Sequence, residues 1–341
     1  MPSKKRVKKI NLKSAKKSAK AKSAPLFRVP ATRAMPAPDG SRFALYVYWF
    51  IILFFVAATC YILGRSYSII HNNAEITEAA ILNVSGMPAG QRAAMAAEYA
   101  ASGKAKLLSG NATGAVLDLT VAIEADPNSA DALVLRGEAF MQQSDYGRAY
   151  DDLTAAFRID PDNSVALFDR AMVFIRQENF EAAMEDLNLA LAANMRRPSD
   201  VLPVRDILAK RAQLRLWAKE WQAAAEDYTA AINASNFDYN PDDFAGRAEA
   251  FIGLAEYGAA ATDLMAAITV ISEKIQTVES MERREQMSRA ATAYFEKSAA
   301  LHVKMNDMAS ARSDLEAAHT LAATLGDTDT ANRLQSLILK L

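Results

Sequence analysis

The sequence predicts an all-α protein: a helical solenoid of about six helix-pair units, preceded by one transmembrane helix and a disordered basic N-terminal tail. Three observations carry that prediction. A pattern of small and bulky apolar residues returns about every 34 residues over 96–325. No strand-like alternation of any length interrupts it. Residues 43–63 form an uncharged run of 21, flanked by a strongly basic segment.

The tail, residues 1–42, reads KKRVKK and KSAKKSAKAK and then turns Pro-rich. It holds 13 Lys/Arg against the single acid Asp39, a net +12, so with an overall charge of −1 the remainder sums to −13. With few large apolar residues and no periodicity, it reads as disordered. Its charge sets membrane topology and brings anionic-lipid contact with it. KKRVKK also fits a nuclear signal or a nucleic-acid patch, but no specific nucleic-acid partner is expected.

The run that follows is FALYVYWFIILFFVAATCYIL. At about 1.5 Å rise per residue it spans a hydrocarbon core of about 30 Å. Tyr46, Tyr48 and Trp49 lie near one end and Tyr61 near the other, where interfacial aromatics belong. The long basic region and the length of the run argue against a cleaved signal peptide. Cys60 lies too deep in it to mark lipid attachment. An uncleaved signal anchor over 43–64 fits best, with the N-terminus in the cytoplasm and the rest beyond the inner membrane. Residues 65–95 then read as a juxtamembrane stalk or first helix, broken near Gly86-Met87-Pro88.

The repeat shows most fully in LRGEAFMQQSDYGRAYDDLTAAFRIDP. Numbered from Ala130, Gly137 stands at position 8, Phe140 at 11, Ala149 at 20, Leu153 at 24, Ala156 at 27 and Pro161 at 32. Units begun at Ala96, Ser164, Arg205, Pro241 and Thr292 repeat the small residues at 8, 20 and 27. Small residues let two helices approach where they cross, the bulky ones fill the layers between, and Pro ends the second helix. One such unit cannot bury its apolar face, whereas three or more stacked units can. Position 11 departs from the pattern at Lys106, Arg215 and His302. The loop MRRPSDVLP after the third unit is long, and the stretch SEKIQTVESMERREQMSRA, free of Pro and Gly, predicts long helices. Residues 326–341 predict a capping helix.

This pattern resembles the tetratricopeptide repeat, a 34-residue helix–turn–helix unit, over roughly 96–325. The resemblance implies a protein-binding module whose concave face is lined by the first helix of each unit at positions 2, 5, 9, 12 and 13. On this chain those positions give Val134, Glu138 and Met141 in the second unit, Val165, Phe168, Met172, Ile175 and Arg176 in the third, and Asp206, Ala209, Gln213, Leu216 and Trp217 in the fourth. They read as an apolar floor with a polar rim, with Phe168, Met172, Leu216 and Trp217 as one accessible strip. The Lys and Asn set with which some members clamp a terminal carboxylate is missing.

Position 23 is Asp in all six units: Asp118, Asp152, Asp186, Asp227, Asp263 and Asp314. Position 7 is Arg in four: Arg136, Arg170, Arg211 and Arg247. A charge repeated at the structural period predicts a ladder of interhelical ion pairs.

No catalytic constellation, metal site or cofactor motif is legible. One Cys rules out an internal disulfide framework, and three His argue against a His-rich metal centre. The expected function is a membrane-anchored protein–protein interaction scaffold, binding a peptide or helix of an envelope partner through the concave groove. Two alternatives stay open at this point. One is an organellar membrane adaptor with an N-terminal presequence, for which sequons at Asn83, Asn111 and Asn233 would matter if glycosylated. The other is an enzyme with an unrecognised site.

Overall fold

The computed structural model describes Val84 and residues 86–341. The basic tail, the apolar run 43–63, His71 and the sequon Asn83 lie outside the described residues. Among the described residues, no helix is long and apolar enough to cross a membrane.

Thirteen helices and no strands occupy the described residues. They pair as α1 (Ala89–Leu108) with α2 (Ala112–Ala125), α3 (Ala130–Gln142) with α4 (Tyr146–Ile159), and α5 (Ser164–Arg176) with α6 (Phe180–Arg196). Then come α7 (Val204–Trp217) with α8 (Trp221–Ala234), α9 (Pro241–Gly253) with α10 (Tyr257–Thr277), and α11 (Met281–Lys304) with α12 (Met308–Thr324). The last helix, α13 (Thr328–Ile338), packs on α12. Its Ala331, Leu334 and Ile338 cluster with Leu315, Ala318 and Ala322, so the final pair is covered at its open side.

The turn inside each pair follows one design. Position 15 is left-handed in all six: Gly110, Ser144, Glu178, Lys219, Ala255 and Asn306 have φ between 59° and 77°. The next residue's N–H then reaches back to the carbonyl at position 11, as Asp145 does to Phe140 at 2.9 Å, closing the first helix. That same residue caps the second helix where its side chain is short enough. Asn111, Asp145, Asn179 and Asp307 each accept an N–H three residues on, whereas Glu220 and Glu256 make no such bond.

The core repeats with the sequence. Ala149, Ala156, Ala183, Ala190, Ala224, Ala231, Ala260 and Ala267 are all fully buried, as are Leu153 and Leu187. A Cβ on Gly137 would sit 2.9 Å from Leu153 Cγ, so position 8 must be small where position 24 is Leu.

Two segments depart from simple repetition. Residues 197–203 are held by Asn194, whose side-chain amide donates to the Leu202 carbonyl at 3.0 Å, and by Ser199, whose hydroxyl accepts from the N–H groups of Val201 and Leu202. The Pro- and Gly-free stretch after α10 breaks all the same. Val278 is extended at ψ 122°, Ser280 caps α11 through the Arg283 N–H, and the Arg284 guanidinium donates to the Val278 carbonyl.

Candidate functional site

Four first helices, α5, α7, α9 and α11, line an open cleft of about 770 Å³. Phe168, Ala209, Leu216 and Trp217 form its apolar part. Trp217 is 65% exposed and rests on Phe180, ring centroids 4.0 Å apart. Phe168 is half-buried. The capping helix α13 packs on α12 and contributes nothing to the cleft lining.

The residues expected in the groove do not form one strip. Phe168, Gln213, Leu216 and Trp217 line the large cleft. Glu138, Met141, Met172 and Arg176 line a separate hollow of about 350 Å³ with Gln142 and Tyr146. One expected groove residue belongs to the core, and another lines neither hollow. Val134 is 5% exposed and clusters with Leu133, Phe140 and Ala166, because α5 packs across that face of α3. Ile175 is half-buried and packs, like Phe168, against the cluster of Leu167, Ala171, Ala183 and Leu187.

The floor is also more polar than an apolar strip. Asp206, Asp242, Asp243 and Glu249 stand in the cleft with Arg205, Lys210, Lys297, Tyr228 and Tyr294. Arg205 bonds Asp206 at 2.7 Å and Asp243 at 3.0 Å. Burial nonetheless pushes the Asp243 carboxyl above its ordinary range, with Arg205 opposing. The Tyr294 hydroxyl donates to Asp242. Burial and then that bond raise its pKa, and burial and the nearby acids raise that of Tyr228. Asp242, Ala245 and Glu249 occupy positions 2, 5 and 9 of the fifth unit, so the groove positions read one unit further would have found this wall. Arg205, Lys210 and Lys297 stand at other positions and carry no such signal.

The Asp ladder is present with a shared geometry. Arg136, Arg170, Arg211 and Arg247 each grip the Asp sixteen residues on with Nε and Nη2, at 2.6–2.8 Å. In three of them Nη1 reaches the preceding unit, to Thr120, Asn188 and Thr229 at 2.8–3.2 Å, all at position 25. Arg170 lies over the Phe157 ring, 4.7 Å from its centroid, while the Thr154 hydroxyl at position 25 finds no partner. The end units partner their Asp differently. Asp118 takes Lys106 at 2.6 Å and the Ser102 hydroxyl at 2.5 Å, and Asp314 takes His302 at 2.8 Å. Position 11 lies one turn beyond position 7 on the same helix face, so Lys106, Arg215 and His302 reach the ladder's Asp from there, Arg215 beside Arg211.

One acid has no such partner. Asp169 on α5 is 9% exposed, and its Oδ2 meets no donor. Burial, reinforced by Glu138, holds its carboxyl well above the ordinary range. Glu138 is raised too, by burial, with Lys104 opposing.

The tetratricopeptide repeat family profile matches residues 140–202. No curated protein sequence matches the chain. Among solved structures, PilF of Pseudomonas aeruginosa is similar at 18% identity and a TM-score of 0.52, over 72% of this chain and 99% of that one. MamA aligns at 19% identity and 0.45, over 55% of this chain and 97% of that one. YrrB, a tetratricopeptide repeat protein described as having an unusual peptide-binding site, aligns at 13% and 0.49, over 64% of this chain and 97% of that one. At these identities only the PilF likeness bears on this chain, and it speaks for the fold alone. The profile marks residues 140–202 as tetratricopeptide repeat, and the same turn and small-residue crossing geometry runs through all six helix pairs.

Proposed function

We propose that this protein is a membrane-anchored interaction scaffold that docks a peptide segment or helix of an envelope partner in the cleft between α5, α7, α9 and α11. The observation that carries the reading is the large cleft itself, with Trp217 largely exposed at its apolar end. Large rigid aromatics in such places supply much of the binding energy at protein interfaces. The anchor rests on the sequence: an uncharged 21-residue run beside a +12 tail keeps the N-terminus inside and places the repeats outside the cytoplasm.

Photo-crosslinking in native membranes from a photo-reactive residue at Phe168 or Trp217 tests the docking. A discrete crosslinked protein is expected, and Trp217→Ala should abolish its capture with helix content unchanged. No product from either position, or a product indifferent to Trp217→Ala, would remove the cleft as the docking site. Protease added to spheroplasts should digest the repeats and spare the tail, and protected repeats would overturn the topology.

A further inference from the structure

The smaller hollow, between α3 and α5, carries an inference that goes beyond docking in the large cleft. Position 9 of one unit's first helix meets position 6 of the next. Glu249 on α9 and Lys297 on α11 stand at these positions and make an ion pair at 3.3 Å. The same positions on α3 and α5 are Glu138 and Asp169, so two carboxyls meet where the later repeat sets an acid and a base. The remaining junctions carry Lys104 with Leu135, Met172 with Lys210 and Gln213 with Gly246, so this one alone brings two like charges together.

Neither acid has a cation of its own. Asp169 is 9% exposed and its Oδ2 meets no donor, and Glu138, half-buried, makes no ion pair among the described residues. Arg136 and Arg170 are taken up by Asp152 and Asp186. Lys104 on α1 and Arg176 at the end of α5 are exposed.

The pair stands at one end of the hollow of about 350 Å³. Glu138 and Met141 line it from α3, Tyr146 from α4, and Met172 and Arg176 from α5. Asp169 lies one turn from Met172 on the same face of α5, which sets it beside Glu138 at that end. Met141, Met172 and Tyr146 suit an aliphatic stem, and the acids beyond them lack a positive charge. Long basic side chains divide in the same way, an apolar stem below a charged head. We propose that this hollow binds a Lys or Arg side chain of a partner segment, its stem on Met141 and Met172 and its charge on Glu138 with Asp169 behind it, as Lys297 meets Glu249. A cation there relieves the cost of the uncompensated buried acids. The chain beyond residue 42 sums to −13, which draws basic segments toward it. In the topology proposed above the Lys-rich tail lies across the membrane, which leaves a partner as the occupant.

Burial holds both carboxyls above their ordinary range. The acids must ionise to hold the cation, so binding tightens as pH rises through their pKa values, while the Lys or Arg stays charged throughout.

The probe is a set of dodecapeptides selected by display on the full chain in phosphatidylcholine nanodiscs, then fluorescein-labelled and titrated by anisotropy. One class should carry a Lys or Arg whose exchange for norleucine weakens binding roughly tenfold or more. Glu138→Gln and Asp169→Asn should each cause the same loss, while thermal melts show Asp169→Asn to be no less stable than the parent. Trp217→Ala should leave this class unchanged, Arg176→Gln should not weaken it, and binding should fall as pH is lowered from about 7 to about 5. If no selected peptide responds to Glu138→Gln or Asp169→Asn, this proposal is overturned, and peptides that need Trp217 would still leave the docking reading standing. If the basic class appears and no peptide depends on Trp217, the docking reading falls and this proposal stands. Peptides that need an acidic residue and are lost with Arg176→Gln would make Arg176 the binding group of the hollow and also overturn it.

Discussion

The Arg170 guanidinium and the Asp186 carboxylate meet through two hydrogen bonds of 2.7 Å each, joining α5 to α6 within one repeat. The bond to Asp186 holds the guanidinium pKa above its ordinary value. Both side chains are largely buried, so removing one partner strands the other. Arg170→Ala is expected to destabilise by about 1–3 kcal/mol, from the cost of an uncompensated buried charge. Urea denaturation checks this. The double variant Arg170→Leu with Asp186→Leu should lose less than Arg170→Ala alone.

Asp169→Asn should act in the opposite direction. The fold raises the Asp169 pKa above its ordinary 3.8, so the folded chain keeps this proton to higher pH than the unfolded chain does. Its stabilising contribution is complete below the unfolded pKa and is lost as pH rises through the folded one. At pH 7 the carboxylate is therefore a burden, and Asp169→Asn should stabilise on the order of 1 kcal/mol. Thermal melts across pH should show the gain shrinking below about pH 4, where Asp in unfolded chains protonates.

Position 15 offers a backbone test. Ala255 sits at φ 61° in the turn between α9 and α10. The left-handed conformation costs a non-Gly residue about 1–2 kcal/mol, partly offset by the extra freedom Gly brings to the unfolded chain. Ala255→Gly should stabilise by about 0.5–1 kcal/mol, read as a higher denaturation midpoint at unchanged m.

Gly246 should tolerate no side chain. A Cβ there would fall 2.3 Å from Cζ of Tyr228, a ring that is itself 6% exposed. Gly246→Ala should cost about 1–3 kcal/mol by overpacking. Both residues line the cleft, so this variant should also weaken partner capture.

Much of the fold was legible because helix-pair packing repeats. Gly137 opposite Leu153 and Arg136 opposite Asp152 stand at fixed offsets, so a 34-residue period announces them. The site was less so. Val134 and Met172 have groove offsets, yet one is core and the other lines a separate hollow. Lys106 and His302 looked like departures from the pattern, although each is the polar partner of its unit's Asp.

The sequence by itself determined the helix pairs, the small-residue crossings, the Asp/Arg ladder and, through the charge asymmetry, the expected topology. These depend on local periodicity and on contacts within a unit, where spacing along the chain fixes spacing in space. Only the tertiary structure decided which first-helix residues remain open and that the Asp169 Oδ2 meets no donor. Those features depend on how consecutive units pack, and small changes in that packing bury one side chain and expose its repeat equivalent.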